Sequence, residues 1–181
     1  MVMVVKDEQL MLRVAEGNLD AFDELVRRHQ HSAWRIAHRF LGDSTEAEDL
    51  VQEAFLRILA AAPRYKPSAA FSTYLYRIVT RLCIDSAGKK RPVFTDSLPE
   101  TVDSSPDPET VLAQKDRDTL VRKGLDALPS RQRMAVILKY YEGLDYGEIA
   151  RAMGTTVKAV ERLLGHARTT LKTSLFYLRG K

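Results

Sequence analysis

Residues 145–171 carry the pattern of a helix-turn-helix, which constrains this chain more than any other feature. Asp145 stands where it can cap a helix, with Glu148 three residues on at the reciprocal capping-box spacing. Ile149 and Met153 share the inner face of that helix, and Ala150 is small where a second helix must approach. Gly154 falls where the turn needs positive φ. A second helix is expected from near Thr156, with Val160, Leu163 and Leu164 inward at helical spacing. A unit of this kind lays its second helix in the DNA major groove. The class is thereby narrowed from a helical protein to one that reads DNA.

The rest of the composition removes competitors. The 181 residues fit one domain or two small ones, and 45% hydrophobic content is ample for globular cores. With 29% charged residues and no apolar run near the roughly 18–20 residues that span a bilayer, membrane insertion is not expected. The start, MVMVVKDEQL, lacks a basic n-region and a cleavage site, so no signal peptide is read. One cysteine, Cys83, fits a reducing cytoplasm. The four histidines show no metal-ligand spacing, and no cofactor or catalytic residue is expected.

The net charge of +4 is modest but unevenly spread. Ala54 to Ile84 holds no acid, with Arg57, Arg64, Lys66, Arg77 and Arg81 supplying positive charge. Arg162 to Lys181 again holds none, with Arg162, Arg168, Lys172, Arg179 and Lys181 present. Acids gather in Asp43 to Glu53 and Asp96 to Glu109. Two basic stretches suit two polyanion-binding surfaces, and ordinary solvated helix faces explain them equally well.

Periodicity is helical throughout. Phe22, Leu25, Val26, His29, Ala33, Ile36, Ala37 and Phe40 form one long stripe, ended by Gly42. Asp43 or Ser44 then caps a helix with the stripe Ala47, Leu50, Val51, Ala54, Phe55, Ile58 and Leu59. Pro63 and Pro67 bracket a loop of basic and small residues, and a third helix is expected from Phe71 to about Asp85. Its inward residues are Leu75, Ile78, Val79 and Leu82. Pro92 to Pro108 reads as a linker, rich in proline, serine and acids. Asp107-Pro108 opens another helix lined by Val111, Leu112, Leu120, Val121, Leu125 and Leu128. Pro129-Ser130 restarts the chain into Met134, Val136, Ile137, Leu138 and Tyr141.

Five pieces of this chain, in order, resemble the extracytoplasmic-function (group 4) sigma factors of bacterial RNA polymerase. Ala21-Phe22-Asp23-Glu24-Leu25-Val26 resembles the opening of the family's region 2.1, and Ala47 through Phe55 (AEDLVQEAF) its region 2.2. Phe71 through Ile78 (FSTYLYRI), followed by Asp85, is similar to regions 2.3 and 2.4. Leu128-Pro129 with Arg131-Gln132-Arg133 resembles region 4.1, and the helix-turn-helix region 4.2.

The resemblance implies an all-α fold of two small helical domains, 1–91 and 108–181, joined by a flexible acidic linker, 92–107. It implies core RNA polymerase (β′ clamp helices and β flap) and promoter DNA as partners, commonly an anti-sigma factor as well, and no catalysis. Asp49, Gln52, Glu53 and Arg57 project away from their helix's apolar stripe and would dock the clamp helices; the residues alone read rather as a solvated face, the usual role of such charges. Arg64, Tyr65, Lys66, Tyr74, Arg77 and Arg81 would open the −10 element, cations holding phosphates while aromatic faces stack unpaired bases. Phe71 and Tyr74 suit a core at least as well, and Tyr65 is the better base contact. Tyr74 stands where the family usually has tryptophan and Arg81 where it usually has asparagine; the arginine would favour phosphate or guanine contact over asparagine's paired donor and acceptor. The acidic linker would thread the polymerase channel toward the RNA exit path.

In the last helix, Thr156, Lys158, Glu161, Arg162, Gly165, His166, Arg168 and Lys172 would meet the −35 element. Arg162 suits two hydrogen bonds to a guanine and Glu161 one from a cytosine amine. Gly165 costs about 1 kcal/mol inside a helix, a cost consistent with close backbone approach to DNA or to a neighbouring helix. A regulator acting without polymerase would explain the helix-turn-helix but not the Ala47–Phe55 acidic helix. An enzyme is disfavoured: Cys83 lies among apolar neighbours, and His29, His31 and His38 have no acid at catalytic spacing.

Overall fold

In the computed structural model, the described residues are 5–89 and 119–179, with side chains through 173. They form α1 (Asp7–Ala15), α2 (Leu19–Leu41), α3 (Ser44–Ala61), a 3-10 turn (Ala62–Arg64) and α4 (Phe71–Lys89). After the undescribed segment come α5 (residues 119–126), α6 (Ser130–Tyr140), α7 (Tyr146–Met153) and α8 (Val157–Arg179). The described residues contain no strand. The expected linker and the helix opening at Asp107-Pro108, with Val111 and Leu112, lie outside them.

Local signals set the helix ends. The Asn18 side chain accepts from the Ala21 amide at 2.9 Å to start α2, and Asp43 accepts from Glu46 at 2.8 Å to start α3. Gly42 closes α2 in the left-handed region, φ 80°. The apolar stripes then converge. Leu25, Ala33, Ile36, Ala37 and Phe40 of α2 are buried against Ala47, Ala54, Phe55 and Ile58 of α3 and Phe71, Leu75 and Val79 of α4. Burying each of the larger side chains contributes about 1.5–3 kcal/mol. In the second half, Met134, Ile137 and Leu138 of α6, Ile149 of α7, and Val160, Leu164 and Ala167 of α8 are buried.

Several expectations shift. Helix α1 is not foreseen by the sequence reading; it buries Leu10, Met11 and Val14 under α2. Helix α4 runs past Asp85 to Lys89, through Gly88, because nothing there interrupts its backbone ladder. Ile78 and Leu82 are only partly buried, while Thr80 and Cys83 take the inward positions. Leu120, Val121 and Tyr141 are exposed rather than inward, Tyr141 lying under the Arg39 guanidinium at 4.5 Å.

The two halves pack together through α4 on α7 and α2 on α6. The Glu142 side chain, 3% exposed, accepts from Arg35 at 2.8 Å and has Arg39 at 4.0 Å. Arg122 donates to the Arg39 carbonyl at 3.1 Å and Arg133 to the Phe40 carbonyl at 3.0 Å. Those carbonyls belong to the last turn of α2, where helix geometry leaves them without intrahelical donors and partly negative. Gly42 also makes room: a Cβ there would collide with the Arg122 guanidinium.

Candidate nucleic-acid interface

The helix-turn-helix is assembled from contacts three residues apart. The Asp145 carboxylate accepts from the Glu148 amide at 2.7 Å, and the Glu148 carboxylate accepts from the Asp145 amide at 2.8 Å. Two of the four amides that a helix start leaves without intrahelical acceptors are thus satisfied reciprocally. Gly154 makes the turn at φ 60°, and the Thr156 hydroxyl accepts from Ala159 at 3.2 Å to start α8. With Val160, Leu164 and Ala167 packed inward, the opposite side of α8 is left to solvent. Thr156, Lys158, Glu161, Arg162, Gly165, His166, Arg168 and Lys172 are all exposed on it. Arg168 sits against the Tyr140 hydroxyl, with Tyr146 nearby, which raises its pKa. No heavy atom lies within 4 Å of where a Cβ on Gly165 would stand, so no neighbouring helix accounts for that glycine among the described residues.

The expected −10 residues gather around the loop before α4. Arg64 and Lys66 are exposed on it, and Arg77 and Arg81 are exposed along α4. Arg81 faces Asp85 at 3.8 Å, both in water, where such a pair contributes little. Phe71 is core, at 1% exposure. Tyr65 and Tyr74 are partly buried against the core and lean on each other, ring centroids 5.4 Å apart. The Tyr65 hydroxyl is buried without a hydrogen-bond partner, and burial, with Glu8 nearby, raises its pKa. Burial raises that of Tyr74 too.

A cleft of about 680 Å³ joins this loop to the helix-turn-helix. Arg64, Tyr65, Lys66, Tyr74 and Arg77 line one side, and Arg151, Gly154 and Thr155 the other; no acidic residue lines it. Four cations facing one cavity give it a positive field suited to a polyanion.

On α3, Asp49, Gln52, Glu53 and Arg57 are exposed as a single face, with Glu53 and Arg57 paired at 2.7 Å. The sequence reading missed Leu56, which stands 60% exposed among them. Its signal was available: it follows Gln52 and Glu53 by four and three residues and lies off the stripe of Ala54, Phe55 and Ile58. Among the described residues no cluster of His, Cys, Asp and Glu is placed to hold a metal, and no helix is long and apolar enough to cross a membrane. Burial pushes the Cys83 thiol far up, so it is held as the unreactive thiol.

Comparison with known proteins places these surfaces in one lineage. Residues 25–92 match the model for Sigma-70 region 2, and residues 119–171 that for Sigma-70, region 4. The chain is 33% identical to the ECF RNA polymerase sigma factor SigE of Mycolicibacterium smegmatis over 88% of its length, spanning 63% of that longer protein. It is 31% identical to the RNA polymerase sigma-H factor of Pseudomonas aeruginosa over 94% of each chain. Against the ECF RNA polymerase sigma-E factor of Escherichia coli K12 it is 30% identical, over 91% of this chain and 92% of that one. Among solved structures, CnrH in complex with the cytosolic domain of CnrY superposes with a TM-score of 0.72 at 27% identity, covering 94% of this chain and 97% of that one. The sigma factor RpoE bound to the anti-sigma factor NepR from Bartonella quintana shares the fold, with a TM-score of 0.64 at 18% identity over 85% and 96% of the two chains. The chain therefore belongs to the sigma-70 family of RNA polymerase sigma factors, in its extracytoplasmic-function group.

Proposed function

We propose that this sigma factor binds core RNA polymerase through the outer face of α3 and reads a two-part promoter with one surface from each half. The observation that carries the reading is the pair of separate, exposed basic surfaces: the outer face of α8, and the loop before α4 with Arg77 and Arg81. Asp49, Gln52, Glu53 and Arg57 dock the β′ clamp helices around Leu56, an exposed apolar anchor inside a polar rim. The second half, residues 108–181 in the domain scheme, docks the β flap and lays α8 in the −35 major groove, where Arg162 and Glu161 read base edges. Arg64, Lys66, Arg77 and Arg81 hold −10 phosphates, with Tyr65 and Tyr74 forming the aromatic wall against which an unpaired base stacks.

Elements named for positions −35 and −10 lie some 25 base pairs, or roughly 85 Å, apart at about 3.4 Å per base pair. The loop before α4 and the helix-turn-helix line one cleft here, so engaging both elements requires the Glu142 interface to open. The closed arrangement is that of the chain before it meets polymerase. Its working place is the bacterial cytoplasm, and it performs no chemistry of its own. CnrH, similar over most of this chain, was solved with a polypeptide partner, and an anti-sigma factor that holds the halves together fits the same arrangement here.

Reconstitution tests the reading. Core polymerase from the same host, supplied with this chain, should start transcription at discrete sites, each preceded by two elements at fixed spacing. Replacing Asp49 and Glu53 together by alanine should weaken core binding while leaving the helical content unchanged. Transcription without defined starts would refute the proposal.

A further inference from the structure

The loop before α4 ends in Ser68-Ala69-Ala70, and Ala70 immediately precedes the helix. Its carbonyl accepts from Thr73 at 3.0 Å and Tyr74 at 3.3 Å, as a helix start requires, but alanine carries no oxygen with which to cap the first amides. The Phe71 amide is satisfied from elsewhere: it donates to Glu8 Oε1 at 2.8 Å, across 63 residues of sequence. Helix α1 thus supplies the cap that the loop lacks.

The position of Glu8 is itself fixed. Its neighbour Asp7 accepts from Arg28 Nη1 at 2.8 Å and pairs with His29 Nε2 at 2.7 Å. Arg28 also donates to the Val5 carbonyl at 2.8 Å, so the chain entering α1 and the helix's first residue are both fastened to α2. The His29 ring packs on Phe71, centroids 5.1 Å apart, which closes the circuit from α1 through α2 to the start of α4. Helix α1 also packs on the 3-10 turn that opens the loop. Both ends of the −10 loop therefore rest on an element that precedes the region-2 match at residue 25.

We infer that Glu8 is a positioning residue for promoter opening: by capping α4 in place of the loop, it holds Arg64 to Ala70 in the shape that captures the opened strand. Glu8 touches no DNA in this account; it acts through the Phe71 amide. The carboxylate also complements the positive end of α4, which steadies the same turn. The inference rests on the loop and α4 being the −10 unit.

The test uses the full chain bound to core polymerase on a promoter found by the reconstitution above. Potassium permanganate reactivity of −10 thymines reports opening, and nuclease protection of the upstream element reports binding. Glu8→Ala should slow opening roughly five- to tenfold, the size expected for losing one helix cap, with upstream protection and core affinity unchanged. Glu8→Gln keeps an oxygen that accepts from the Phe71 amide but not the charge, and should open faster than Glu8→Ala and slower than the wild type. Ala70→Asp places a local cap on α4 and should restore opening to Glu8→Ala. Opening at the wild-type rate in Glu8→Ala overturns the inference, as does an equal loss of opening and upstream protection. A wild-type chain that opens no −10 thymines at all refutes instead the assignment of the −10 unit.

Discussion

The two units to which promoter reading is proposed in this sigma factor are built by opposite means. The helix-turn-helix is fastened by hydrogen bonds that span three residues: Asp145 with Glu148, and Thr156 with Ala159. The unit proposed to open the −10 element is fastened by bonds that span 21 to 63 residues: Asp7 to Arg28 and His29, and Glu8 to Phe71. A locally built unit can keep its shape while it is carried away from its neighbour. A unit built across the chain keeps its shape only while its whole half is folded. That difference suits the proposed function, in which the second half leaves the first to reach a distant promoter element while the first half melts DNA in place.

Breaking the contact between the halves should have the largest effect. Glu142→Ala removes a buried carboxylate from between Arg35 and Arg39 and should cost about 2 kcal/mol of docking, toward the low side for a buried pair because Arg35 is partly in water. Spin labels on α3 and α8 should then show a longer and broader distance distribution, with each half still folded. Next comes the local cap: Asp145→Ala should destabilise the second half by about 1 kcal/mol and leave the first untouched, read by hydrogen exchange in each half. Gly165→Ala should move stability and affinity in opposite directions. The open space around Gly165 admits a methyl group, so α8 should gain about 1 kcal/mol, and upstream affinity should fall if the glycine serves DNA approach.

The smallest expected effect is one of pH. Burial first, then Arg122 and Arg39, lowers the pKa of His38 at the interface, where it stacks on Trp34 at 4.6 Å. Above the ordinary histidine value of about 6.5 it is neutral folded and unfolded, and its contribution is intact. As pH falls below that value the unfolded chain takes a proton that the folded one resists, so stability declines. Urea unfolding at pH 7 and pH 5.5 should show a larger loss for the wild type than for His38→Gln.

The same contrast explains what could be read from residues alone. The capping box, Gly154 and the stripe Val160–Leu164 are legible because each signal lies within one or two turns of its partner. Helix α1 escaped because its nine residues fall short of the window in which helical periodicity stands out, although Leu10, Met11 and Val14 follow an acidic first turn. Glu8 and Glu142 escaped for a deeper reason. Nothing near either one in sequence indicates an amide 63 residues away or a guanidinium 107 away. Tyr65 shows the limit for a site residue: its type suits base stacking, but only packing shows that its hydroxyl is buried and its ring leans on Tyr74.

The proposed function divides the labour between the two halves, and one footprinting experiment on the holoenzyme tests that division. Arg162→Ala should lose upstream protection about five- to a hundredfold, the worth of one good base contact, while a promoter held by high polymerase concentration still opens at −10. Arg77→Ala should keep upstream protection and lose permanganate reactivity at −10. If either substitution abolished both signals together, the halves would not be separate readers and the proposed division would not hold.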